Sequence, residues 1–189
     1  MKKLITMLLV LVMAVSVFAG CNKSQTGAAA NGPANALEIL ENVWAKYADD
    51  QKFSAMGGDM ANPVMDAPGT YSMDEVENLP YTLYIPEAEL KNIDGAATLV
   101  HAMMANNFTS GAVHMVDGVD AKAFCATMKD TLLETQWICG TPEEMLIATV
   151  AGNYVVIAFG AADLVATFKT NFTAAYANAE VLYSEAMVF

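Results

Sequence analysis

Residues 145–159 read MLIATVAGNYVVIAF. Two apolar runs rich in β-branched side chains, 145–151 and 154–159, flank Gly152-Asn153. Runs of this length on either side of such a pair predict two strands joined by a tight hairpin turn. Upstream, 109–116 is a third run of the same kind, ended by Asp117-Gly118. Asp120 then offers a helix cap. Ala121, Phe124, Cys125, Met128 and Leu132 follow at helical spacing, to about Thr135. Gly140-Thr141-Pro142 breaks the pattern before the hairpin. Downstream, Leu164, Phe168, Phe172 and Tyr176 mark a helix over 163–176, and 181–188 reads as a last strand. The order over 109–189 is β-α-β-β-α-β, the ferredoxin-like or split βαβ arrangement with an antiparallel sheet. Two right-handed crossovers are expected to set both helices on one face.

Working toward the N-terminus, 96–104 is almost wholly apolar. Helix and buried strand both fit it, and the reading taken is helix. The stretch 52–72 holds Gly57-Gly58, Pro63, Pro68 and Gly69 and reads as an irregular segment. Ser72 can cap a short helix that Pro80 stops, and Pro86 can open another turn over 87–93. Leu37, Leu40, Val43, Trp44 and Tyr47 form one stripe of a helix over 36–51, with Asn35 and Glu38 as a capping box. The whole of 36–189 is therefore expected to be one α+β domain, in which this helix and the irregular segment pack with the 109–189 unit.

The chain has 189 residues, a net charge of −12, 55% hydrophobic and 16% charged residues. Its nine cations are all lysine. Phosphate affinity needs clustered Lys and Arg, so nucleic acid is not an expected partner. Bidentate guanidinium recognition of phosphate or carboxylate is absent as well.

The first residues carry an address. Met1-Lys2-Lys3 precedes an apolar run over 4–19, which is shorter than the ~20 residues of a membrane-spanning helix. The run exits through Val17-Phe18-Ala19-Gly20-Cys21. A positive start, an apolar middle and a small-residue exit make 1–20 a secretory signal. The Ala-Gly-Cys ending resembles the lipobox of bacterial lipoproteins, with Phe18 in place of the commoner leucine. That resemblance implies lipidation of Cys21 and anchorage to an extracytoplasmic membrane face. A plain signal peptide and an uncleaved anchor are the alternatives. Residues 21–35 are small, polar and Gly/Ala-rich, the composition of a flexible tether. Loss of Lys2 and Lys3 with the signal takes the net charge to −14. An acidic domain is repelled by anionic lipid, so the acyl chain is the expected link to the membrane.

Chemistry-bearing residues are few. His101, Met103, Met104, His114 and Met115 offer imidazole and thioether groups that together suit copper(I). Zinc at His101, His114 and Asp117 lacks the helical i,i+4 histidine spacing. Cys139 or Cys125 with a histidine would make a thiol nucleophile and base. A disulfide between them is awkward: ten helical residues climb ~15 Å, and four more barely return that far. Two reduced, mostly buried thiols are expected instead. Phe53, Tyr71, Tyr81 and Tyr84 could line a peptide or sugar groove, or simply pack their loops onto the sheet.

With MKKLITMLLVLVMAVSVFAGC and the 118–160 segment read in this way, the chain resembles small lipoproteins of clostridial gut bacteria whose domains have no assigned activity. The resemblance implies lipidation but carries no functional residue. The leading expectation is a non-enzymatic binding or accessory module without a cofactor, for an unidentified protein or small molecule. A copper-binding lipoprotein comes second, and a thiol or hydrolytic enzyme third.

Overall fold

An apolar run without alternation can be a strand only where both faces of its sheet are covered. The computed structural model describes residues 32–103 and 107–189. The signal-peptide reading, Cys21, all but the end of the tether and Met104 lie outside the described residues.

The elements are α1 (Ala36–Trp44), β1 (Ala55–Gly58), β2 (Pro63–Met65) and β3 (Gly69–Tyr71). A 3-10 segment (Met73–Asn78) runs into a short helix α2 (Leu79–Thr82), and a second 3-10 segment (Glu87–Asn92) precedes β4 (Ile93–His101). Then come β5 (Phe108–Met115), α3 (Ala121–Glu134), β6 (Glu144–Val150), β7 (Tyr154–Gly160), α4 (Ala162–Ala175) and β8 (Glu180–Ala186). The fold is α+β: one open sheet of eight strands, all pairs antiparallel, in the order β2-β1-β4-β5-β7-β6-β8. β3 shares the β4 edge with β1, pairing at Tyr71–Ala96 while β1 pairs at Ala55–His101. The two short strands meet end to end at Gly57 and Gly69. A Cβ on Gly57 would lie 2.1 Å from the Gly69 nitrogen.

The β-α-β-β-α-β order is present in β5-α3-β6-β7-α4-β8. Setting both helices on one face, however, would require β8 beside β5. β8 instead pairs with β6, on the far side of the hairpin. Both crossovers then step the same way across the sheet while starting from oppositely directed strands. Equal handedness sends the two helices to opposite faces. Phe168 and Phe172 of α4 pack with Leu146, Ala148, Val156 and Ala158. Phe124, Cys125, Met128 and Leu132 of α3 pack with Met145, Ile147, Val155 and Ile157. α1 lies beside α4 and adds Ile39, Leu40 and Val43 to the first core. The segment with α2 lies beside α3 and adds Leu79, Leu83 and Ile85 to the second. β7 is buried along its whole length.

Other local expectations change with this packing. Residues 96–101, within the stretch 96–104 read as helix, belong to strand β4. They lie between β1 or β3 and β5, which consumes their backbone donors and acceptors. The irregular 52–72 stretch holds three short strands, built around its glycines. Pro80 does not stop the helix after Ser72. It sits in the first turn of α2, where a missing N–H costs nothing. α1 ends at Trp44, before Tyr47. Asn35 accepts from the Glu38 N–H as read, but the Glu38 carboxylate takes the Ala34 N–H rather than that of Asn35, so only half of the capping box is made; Asp120 accepts from the Lys122 and Ala123 N–H groups.

Asp59 was missed as a structural residue. Only 5% exposed, its Oδ1 accepts from the Ala61 and Asn62 N–H groups and its Oδ2 from the Ser72 N–H at 2.9 Å. It ties the β1–β2 turn to the segment after β3. The Ser72 bond foremost holds its carboxyl below the ordinary value of 3.8. Asp59→Ala should cost about 2–3 kcal/mol, the scale of hydrogen bonds to a charged group. The folded pKa is depressed, so this contribution is complete above the ordinary value and lost as pH falls through the folded one. Urea midpoints of wild type and Asp59→Asn should converge as pH drops below 3.8. A gap that stays constant through that range would show that the charge contributes nothing.

Candidate functional site

The strand register decides which side chains can meet. His101 ends β4, whereas His114 pairs with Gly95 near its beginning. Six residues of strand separate these positions, ~20 Å at 3.3 Å per residue. Met115 is fully buried on the α3 face, with Val113. Met103 is exposed beside His101. Of the proposed soft-metal ligands, the four described ones, His101, Met103, His114 and Met115, are therefore not brought together. Among the described residues no group of three or more His, Cys, Asp and Glu could hold a metal ion.

Each histidine has a structural place. The His101 ring stacks on Phe53 at 4.9 Å, and its Nδ1 accepts the Met103 N–H at 3.0 Å. His114 contacts the Asp94 carboxylate through Nδ1 and the Asn153 amide through Nε2 at 2.8 Å. It thus joins the start of β4 to the β6–β7 turn. That turn has three residues, Ala151 to Asn153, with positive φ at Ala151 and Gly152.

Cys139 and His101 share a small cleft of about 200 Å³ with Met103 and Asn107. This is the nearest approach to a thiol–imidazole pair. A backbone N–H can only donate, so His101 Nδ1 is an acceptor and the neutral ring carries its proton on Nε2. Burial also lowers its pKa from 6.5. Nδ1 is already engaged and Nε2 bears the proton, so this ring is not set up to take one from a thiol.

The thiols differ more than expected. Cys125 is fully buried under α3, and its thiol is pushed up to about 12, by burial first and then by Asp120 and Glu180. Cys139 is exposed rather than buried, because it follows α3 in the 135–143 loop; both are free thiols. In a Cys21→Ala chain at about pH 8, just below the usual cysteine pKa, a thiol-exchange reagent should titrate Cys139 at once. Cys125 should react only after unfolding. Fast reaction of both would mean that α3 does not shield Cys125.

The four aromatics proposed for a groove are split between faces. Phe53 packs on the α1 side, against Trp44, Tyr47 and Phe108. Tyr71 is buried on the α3 side. Tyr84, at φ +57, packs there on Trp137 and Phe159. Tyr81 stands alone at 80% exposed. Three of the four hold loops onto the sheet, and no groove joins them.

The surface that does form was not foreseen. After α3 the chain drops into 135–143, where the Trp137 indole N–H donates to the Leu132 carbonyl at 3.3 Å. Its ring packs on Tyr84, Phe159 and Phe189, with centroids 4.5, 5.7 and 6.5 Å away. The Met187 N–H donates to the Glu143 carbonyl at 2.8 Å and extends the β8–β6 pairing up to this place. Next in sequence to members of this cluster, Ile138 is 95% and Val188 83% exposed, with Phe189 more than half exposed. Large apolar side chains are thus exposed at a place held by aromatic packing and backbone bonds. Its sequence signal was Trp137-Ile138 between a helix end and Gly140, which reads as an ordinary loop.

Among the described residues no helix is long and apolar enough to cross a membrane. No protein-family model, curated protein or solved structure matches this chain.

Proposed function

We propose that the chain is an extracytoplasmic lipoprotein, held to its membrane through Cys21, that works as a non-enzymatic docking module for a protein partner. The observation that carries the docking half is the exposed Ile138–Val188 surface around Trp137. Exposed aliphatic side chains beside a rigid aromatic anchor are what protein interfaces bury at their centres. The carboxylates of Glu134, Glu143, Glu144 and Glu185 belong to the elements that meet at this end. With a net charge of −12, two copies of the chain repel each other. The partner is therefore a different protein with an apolar surface and a cationic rim.

The tether half rests on the sequence of 1–35 and on its resemblance to small clostridial-type lipoproteins. In the same reading the 109–189 unit is a ferredoxin-like variant with its last strand transferred to the other sheet edge. Cys21→Ala should move the protein from the membrane fraction to the soluble fraction. Retention with an intact N-terminus would indicate an uncleaved anchor.

For docking, the full chain extracted in mild detergent from its own membranes should sediment as a complex larger than itself. Ile138→Asp/Val188→Asp should sediment alone, with an unchanged Tm. Identical sedimentation of the two would remove this surface as the docking site.

A further inference from the structure

The opposite end of the sheet, at the β6–β7 turn, carries a second feature. A cleft of about 460 Å³ lies between the start of α1, that turn and the end of α4. Glu38, Asn42, Ala151, Tyr176 and Asn178 are among its walls. The Tyr176 hydroxyl donates to the Glu38 carbonyl at 3.4 Å and accepts from Asn42 Nδ2 at 2.9 Å. This exchange commits the Asn42 amide nitrogen and leaves Oδ1 as the acceptor facing away from it. The Glu38 Oε2 takes the Ala34 N–H at 2.7 Å, so the second carboxylate oxygen is left for another donor.

The end of α4 adds to this polarity. The Tyr176 N–H closes the helix on the Phe172 carbonyl, and no backbone N–H among the described residues reaches the carbonyls of Thr173, Ala174 or Ala175. The last turn has no basic residue to satisfy them. Unpaired carbonyls make this the negative end of the helix dipole. Among the described residues no lysine lines the cleft. Glu38, Asn42 and the last residues of α4 thus line one space, with Tyr176 at its wall.

We propose that this cleft binds a small organic ammonium compound, its charged amine placed between Glu38, Asn42 Oδ1 and the end of α4. The volume falls in the range of small-molecule sites and far exceeds what a bare metal ion fills. The single carboxylate also argues against a divalent metal, which takes several oxygen ligands. The alanines of the α4 end and Val150 supply apolar wall for a carbon chain, and an aromatic face attracts a cation. This site is independent of the Ile138 surface.

The test is calorimetric titration of the full chain in detergent with 1,4-diaminobutane, and with 1,4-butanediol as the uncharged counterpart. The diamine should bind and the diol should not. Glu38→Gln, which keeps the cap, should weaken the diamine at least tenfold. Asn42→Asp, which adds a second carboxylate, should tighten it several-fold. Glu87→Gln, in the distant 3-10 segment before β4, should change nothing. Equal weakening by Glu38→Gln and Glu87→Gln would reduce the effect to the chain's overall negative charge. Binding of the diol as tightly as the diamine, no binding of either, or no tightening in Asn42→Asp would each overturn the proposal.

Discussion

Gly160→Ala is expected to abolish stable folding, or to lower stability by about 4 kcal/mol or more. Gly160 closes β7 at φ +147, a backbone conformation open to glycine alone. A Cβ there would lie 2.1 Å from the Asn107 carbonyl oxygen and 2.7 Å from the Phe108 Cα. Both neighbours are backbone, so neither can rotate away. They are fixed in turn, since Phe108 pairs with Gly160 across β5–β7 and the Ala161 N–H donates to the Asn107 carbonyl at 2.7 Å. Backbone strain of ~1–3 kcal/mol adds to an overpacking cost of similar size. Urea unfolding of the variant measures the loss. A midpoint within error of wild type would mean that the β5–β7 register at this end is not the one described.

The second large effect concerns the two cores. Phe124→Ala and Phe168→Ala should each cost about 3–5 kcal/mol, the usual range for a buried phenylalanine truncated to alanine. Phe124 is 2% exposed under α3, and Phe168 is fully buried under α4, with Phe108 at 5.7 Å. The sheet separates them. Phe124→Leu and Phe168→Leu, made singly and together, should therefore add within ~0.5 kcal/mol, as distant sites do. If both helices shared one face, the two side chains would draw on one core and couple. Coupling above ~1 kcal/mol would contradict the three-layer arrangement.

The three-layer packing was partly legible in the residues that announced the hairpin. MLIATV and YVVIAF show no alternation of polar and apolar positions, which is the pattern of strands covered on both sides. Over 109–189 the element order, helix faces and the Asp120 cap could be read, because periodicity and capping are local. The partner of β8 could not: Glu180–Ala186 suits any edge, and only tertiary packing places it beside β6. Residues 96–104 were ambiguous because a buried strand and a buried helix share one composition.

The candidate sites follow the same division. Histidine and methionine content was visible, but antiparallel register puts His101 and His114 at opposite ends of the β4–β5 pair. The aromatic residues of 53–84 were visible, but the sheet passes between Phe53 and Tyr71. The surfaces that remain are assembled at the two ends of the sheet. One joins the 135–143 loop to residues 187–189; the other joins the start of α1 to the end of α4. Each is built from short stretches distant in sequence.

Docking through the Ile138 end can be read by crosslinking. A photoreactive amino acid is placed at position 138 of the membrane-bound full chain and, for comparison, at the likewise exposed Tyr81. Irradiation in native membranes should give one discrete protein adduct from position 138 and none from position 81. The same adducts from both positions, or lipid adducts alone from position 138, would contradict it.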